Sequence, residues 1–307
     1  MNLGRSEFSE EVRHRGITID GHVLAEMYYE SLNLPKFVTP SPFLSAEEEL
    51  ARRHNEAKGR LAAERLARRY VQDVINLVEK IHATRTGCAV LDAIKRAPMG
   101  DGIQIVPDVS KPEDWPNAGV ETIEPIGRNR KREPKEAVVF FTPANWQRDD
   151  ALAVLLKKTG IQLNDDWGPG SLPDEVLLHE LVHALFVATG KWLKRRVPFQ
   201  GRRYLTDSWS NNPKHANWRG PFEMDEFMAI MITNIYHSEC GGALIRHSHQ
   251  DFVGHNVSDT KFLDFGINRA HIQLLRRKQP GLFNALNDIA VPWNPLRYFR
   301  DSLSGRA

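Results

Sequence analysis

Residues 176–185 read V-L-L-H-E-L-V-H-A-L. Just upstream, Pro173 suits the first turn of a helix, and Asp174 and Glu175 suit its electropositive end. Gly190 supplies a stop, so the spacing predicts a helix from Pro173 to about Thr189. At about 100° per residue, His179 and His183 fall about 40° apart on one face. Leu177, Leu178, Leu181, Ala184, Leu185 and Ala188 occupy the opposite arc. A helix of this pattern buries its leucines and aims both imidazoles into a cleft, an arrangement suited to two ligands of one tetrahedral zinc ion. Glu180 lies one step round. It is poorly placed to bind the same ion but well placed to take a proton from water as that water attacks a carbonyl. Without a cation, a carboxylate and two histidines on a leucine-rich helix would be costly to bury, by several kcal/mol. The H-E-x-x-H pattern therefore reads as a metal site with its own base.

A catalytic zinc needs a third protein ligand and an open position. Phe186 and Thr189 stand where a metzincin would carry glycine and histidine, which excludes that class. Residues 222–237, F-E-M-D-E-F-M-A-I-M-I-T-N-I-Y-H, predict a second helix opened by Gly220-Pro221 and apolar almost all round from Phe227 to Ile235. Glu226 heads that buried stretch, and a carboxylate entering a core calls for a cation. Glu226 is thus the leading third ligand, with Asp207 and Glu223 as alternatives. Asp225 points about 100° away from Glu226 on the same helix.

These segments, together with G-G-A-L-I-R at 241–246, resemble the zincin metallopeptidases in their glutamate-ligand branch, the gluzincins. His183 and Glu226 are 43 positions apart, wider than in thermolysin-like enzymes and more similar to bacterial toxin and effector peptidases. Over about residues 136–250 the pattern resembles the C-terminal peptidase domain of type VI secretion spike proteins. The resemblance implies zinc as cofactor, a ligand set of His179, His183 and Glu226, and Glu180 as catalytic base. It also implies a protein or peptide substrate, and delivery into a target cell by secretion machinery, with a cognate immunity protein as a further partner. A donor for the developing oxyanion would come from among Tyr236, His237, Arg246, His247 and His249, of which Tyr236 and His249 are taken as the catalytic candidates. Tyr204 and His215 lie in a 191–220 loop expected to wall the cleft.

Elsewhere the sequence predicts a helix-rich α+β, zincin-like fold with a small twisted sheet. Ser45, followed by A-E-E-E-L, opens a helix reaching about Thr84, either continuous or broken near Gly59. Its apolar stripe reads Leu61, Leu66, Tyr70, Val74, Ile75, Leu77, Val78 and Ile81. A further helix is expected over Gly87–Arg96, and helical segments over 262–289. Gly102–Pro107 and Ala137–Pro143 read as strands, the second placed near the histidine helix. Residues 1–44 read as an arm or linker with one short helix at Gly21–Leu32, ahead of a peptidase domain over 45–307. The tail V-P-W-N-P-L-R-Y-F is expected to pack back on the domain.

Composition narrows the function classes. The 307 residues carry a net charge of +2, which gives no global pull toward nucleic acid or anionic lipid. The basic run R-N-R-K-R-E-P-K at 128–135 reads as an exposed loop rather than a phosphate grip. Two cysteines, Cys88 and Cys240, exclude a disulfide framework and a cysteine-rich zinc module; they read as free thiols, with one long-range disulfide between them as the alternative. No secretory signal and no run long enough to span a membrane is visible, so the chain is expected to be made in the cytoplasm and delivered by other means. A non-catalytic binding module on the same fold is the competing function. A nucleic-acid binder using 128–135 and the K-R-R and G-R-R clusters at 194–203 is a weaker one.

Overall fold

The structure, a computed structural model, describes residues 11–31, 45–98, 102–108, 118–123, 136–146, 172–191, 196–197, 222–242, 245, 259–264 and 266–304. The basic run at 128–135 and most of the 191–220 loop lie outside them.

Among the described residues, the main sheet has five strands in the order β1-β2-β3-β5-β4. They are β1 (Glu11–His14), β2 (Ile17–Asp20), β3 (Ile103–Val106), β4 (Gly119–Ile123) and β5 (Glu136–Phe140). β2, β3 and β5 run parallel, in register through Ile17, Ile103 and Ala137, while β1 and β4 run antiparallel at the two edges. One face is the apolar side of every central strand: Ile17 and Ile19, Ile103 and Ile105, Ala137 and Val139 are all fully buried. The period-2 alternation that made 102–107 and 137–143 legible is this face.

The expectation of an arm over 1–44 gives way for residues 11–31. Arg15 and Gly16 both have positive φ, 51° and 84°, which turns the chain tightly between β1 and β2. β2 then pairs with β3 inside the sheet. The short helix α1 (His22–Ser31) falls where it was predicted.

Helix α2 (Ala46–His82) is continuous through Gly59. Ser45 and Glu48 form a reciprocal capping box at its start: the Ser45 Oγ accepts from the Glu48 N–H, and Glu48 accepts from the Ser45 N–H. Its inner face differs from prediction at the N-terminal end. Leu61 and Leu66 are exposed, and Ala63 and Ala67 are buried against Ala25 of α1. Gly21 makes the close approach possible, since a Cβ there would sit 2.7 Å from the Ala67 carbonyl oxygen. From Tyr70 onward the predicted stripe holds, with Val74, Val78 and Ile81 fully buried.

Helix α3 (Arg85–Lys95) follows, then α4 (Pro173–Ala188), α5 (Met224–Glu239), α6 (Asp259–Asp264), α7 (Gly266–Lys278), α8 (Pro280–Asn287) and α9 (Pro295–Leu303). Two short strands, β6 (Arg196–Val197) and β7 (Phe222–Glu223), pair ahead of α5. α4 lies at the centre: it packs on β5, β4 and β3 of the sheet and on α2, α3 and α5. Nearly every side chain from Asp174 to Ala188 is buried as a result. The tail does pack back, burying Trp293, Leu296 and Phe299, with Tyr298 left outside. The chain is therefore helix-rich α+β. No helix among the described residues is long and apolar enough to cross a membrane.

Candidate metal centre

α4 and α5 run side by side and antiparallel, which brings the C-terminal half of α4 to the first turn of α5. There His179, His183 and Glu226 converge. The two Nε2 atoms are 3.1 Å apart, and the Glu226 carboxylate oxygens lie 3.0 Å from His183 Nε2 and 3.5 Å from His179 Nε2. Zinc–nitrogen and zinc–oxygen bonds of about 2.0–2.1 Å give a tetrahedron with edges of about 3.3 Å. The two Glu226 distances run to different oxygens of the carboxylate; with one ligand atom taken from each residue, all three lie within 4.8 Å of one another, so the side chains are close enough to share one ion after closing in on it. The donors also fit chemically: two imidazoles and one carboxylate suit zinc and leave a fourth position open.

The two rings meet edge to face, 72° between planes. Both nitrogens thus point at one spot rather than stacking. His179 is 2 % exposed and the Glu226 side chain 24 %, so the cluster reaches from the interior toward solvent. Among the described residues this is the one group of three or more histidines, cysteines or acids close enough to share an ion.

Asp225 adds what the sequence reading did not assign. It is buried, and its Oδ2 lies 3.4 Å from His183 Nδ1, the ring nitrogen facing away from the cluster. A carboxylate there holds the proton on Nδ1 and leaves the Nε2 lone pair facing the cluster, where it could ligate an ion. The 100° step from Glu226 to Asp225, which removes Asp225 as a ligand, is the step that carries it round to the far side of the same imidazole. Electrostatics agree. Burial by itself would lower the His183 pKa, but hydrogen bonds to Asp225 and Glu226 and the charges of Glu226 and Glu180 overcome it, and the pKa is pushed up to about 10. The surrounding carboxylates therefore favour positive charge at this ring.

Glu180 is buried on the adjoining face of α4, near enough for its charge to act on His183. The oxyanion candidates fare differently. Tyr236 does not join the cluster. It is fully buried, and its hydroxyl donates to Asp174 Oδ2 at 2.6 Å. It lies ten residues beyond Glu226 along α5, a rise of about 15 Å. Burial, with Asp174 beside it, drives the phenol pKa far up, so it keeps its proton for that bond. His237 Nδ1 is held by Glu175. His249, Arg246, His247, Asp207, Tyr204 and His215 lie outside the described residues. Both cysteines are free thiols. Compared as a whole with known proteins, the chain matches no protein-family model and no curated protein sequence.

Proposed function

We propose that this protein is a zinc-dependent metallopeptidase that hydrolyses peptide bonds of protein substrates. The observation that carries the reading is the convergence of His179, His183 and Glu226, from two separate helices, with one ligand atom from each inside 4.8 Å of the others. A bound zinc ion would supply the Lewis acidity that polarises a scissile carbonyl and eases the loss of a proton from water. Glu180, buried and one step round α4 from the ligands, holds that proton and hands it to the leaving amine. Asp225 keeps His183 in the tautomer whose Nε2 faces the centre. A peptide substrate is supported by β4. It is an edge strand that packs, with β5, on the helix bearing the histidines, and its outer side has no partner strand among the described residues. An extended peptide adding to that edge would extend the sheet on which the helix bearing the histidines packs. Action as a delivered toxin, with secretion machinery and an immunity protein as partners, extends the proposal on the strength of the sequence resemblance alone.

The test is metal analysis of the pure protein with peptide-cleavage assays of wild type and Glu180→Gln. About one zinc per chain in both proteins, with turnover reduced at least 100-fold in the variant, is expected. Zinc retention with equal cleavage by both would remove Glu180 from the chemistry. Zinc binding with no cleavage of any protein by either would favour a binding module on the same fold.

A further inference from the structure

The last turn of α5 has four consecutive residues that each tie the helix to something else. Tyr236 donates to Asp174 of α4, and His237 bonds Glu175 of α4. Ser238 Oγ accepts from the Trp293 N–H, and Glu239 accepts from the Arg85 and Thr86 N–H groups and the Thr86 hydroxyl, capping α3. The first two ties join the same pair of helices that carry the ligands, at the opposite end from the cluster. Asp174 and Glu175 are 2 % and 1 % exposed, so both bonds are made in a dry interior where their geometry is well defined. Lys80 reaches Asp174 Oδ1 at 2.9 Å and offsets part of the buried negative charge.

The Gly241-Gly242 pair belongs to this arrangement. Gly241 has φ of +90° and ends α5. Gly242 donates its N–H to the His237 carbonyl, and a Cβ on it would lie 2.0 Å from His237 Nε2. The missing side chain is the space that the His237 ring fills while it holds Glu175.

We infer that Tyr236 and His237, the latter seated by Gly242, are positioning residues that fix the register of α5 on α4 and so place Glu226 against His179 and His183. A slip of α5 by one residue would move Glu226 by about 1.5 Å and turn it by about 100°. Either displacement destroys a ligand set whose distances must hold to about 0.2 Å. Two bonds at the distant end forbid such a slip before any ion arrives. This inference rests on the metal reading of the centre.

The experiment titrates cobalt(II) into apo wild type, Tyr236→Phe, Gly242→Ala and Glu239→Gln, following the visible absorption bands, with affinity fixed by a competing chelator. Thermal unfolding of each apo protein is recorded alongside. Tyr236→Phe keeps the ring and removes one tie. Gly242→Ala pushes His237 off Glu175 without altering either residue. Each is expected to lose about tenfold in cobalt affinity and to show shifted bands. Glu239→Gln, in the same turn but tied to α3, is expected to lower the melting temperature while leaving affinity and spectrum unchanged. Unchanged affinity in both Tyr236→Phe and Gly242→Ala, or an equal loss in Glu239→Gln, overturns the inference. If wild type itself binds no cobalt, the metal centre falls and the inference with it; tight wild-type binding with indifferent variants sinks the inference alone. Should one of the two test variants fail to fold, the other decides.

Discussion

His183 is held on both sides by neighbouring acids of one helix: Asp225 Oδ2 lies 3.4 Å from its Nδ1 and Glu226 Oε1 lies 3.0 Å from its Nε2. One acid belongs to the cluster and the other orients the ring behind it. The division of labour follows from the 100° that separates successive residues on α5.

Removing the orienting acid leaves His179, His183 and Glu226 in place. Asp225→Asn is therefore expected to keep the fold and to weaken zinc binding by about 10- to 100-fold. Competition with a chromophoric chelator measures it. An affinity within twofold of wild type would mean that the Asp225–His183 contact does not act on the centre.

A cation and a proton compete for His183. Its pKa stands at about 10 in the metal-free fold against an ordinary 6.5, so at pH 8 zinc uptake should expel close to one proton from this group. The sign for stability is the reverse. A raised pKa stabilises the metal-free fold fully below about pH 6.5, and that contribution is lost as pH climbs through about 10. Zinc affinity should thus rise with pH over the window in which the apo protein weakens. Calorimetric titration in buffers of different ionisation enthalpy reads the proton count, and a count near zero at pH 8 contradicts this account.

Glu79 of α2 clasps the β1–β2 turn, accepting Arg15 Nε at 2.7 Å and Nη2 at 2.8 Å and contacting His14. The Arg15 hydrogen bonds hold its pKa down at about 2 against an ordinary 4.5. Its contribution is present above about pH 4.5 and fades as pH falls toward 2. Because the carboxylate is 43 % exposed, salt screens the pair and the effect is local. Amide exchange in β1, corrected for intrinsic rates, is expected to quicken between pH 5 and pH 3 in wild type. In Glu79→Gln it should be fast at both. Identical profiles would rule out the clasp.

Gly87 lies where α3 crosses α2. A Cβ on it would fall 2.0 Å from the Ile81 carbonyl oxygen, which is backbone and has nowhere to go. Gly87→Ala is expected to cost about 3 kcal/mol or more in denaturant unfolding. An unchanged midpoint would show that the two helices can separate freely.

What the sequence made legible were features encoded within one element. H-E-x-x-H fixed the histidine face of α4 because helical spacing is local, and Ser45 with Glu48 announced the start of α2 for the same reason. Glu226 could be singled out because a carboxylate at the head of an apolar helix is conspicuous. The strands β1, β2 and β4 were missed because four or five residues carry little periodicity, and what makes them strands is pairing to distant partners such as Val138 for Glu121. Leu61 and Leu66 were misassigned for a related reason. Helical spacing marks a stripe but not what covers it, and at that end of α2 the cover is Ala25 of α1, which prefers alanine opposite. Tyr236 stood among the oxyanion candidates because spacing does not show which end of a helix faces the centre. Only the antiparallel pairing of α4 and α5 places it with Asp174.

The pairing of β2 with β3 has a practical side for anyone preparing the protein. A version shortened to begin at Ser45 would retain every element around the histidines, yet it would strip the strand that covers β3 and leave Ile103 and Ile105 along a raw sheet margin. Such margins recruit other chains, so trimming this end invites clumping instead of a leaner protein.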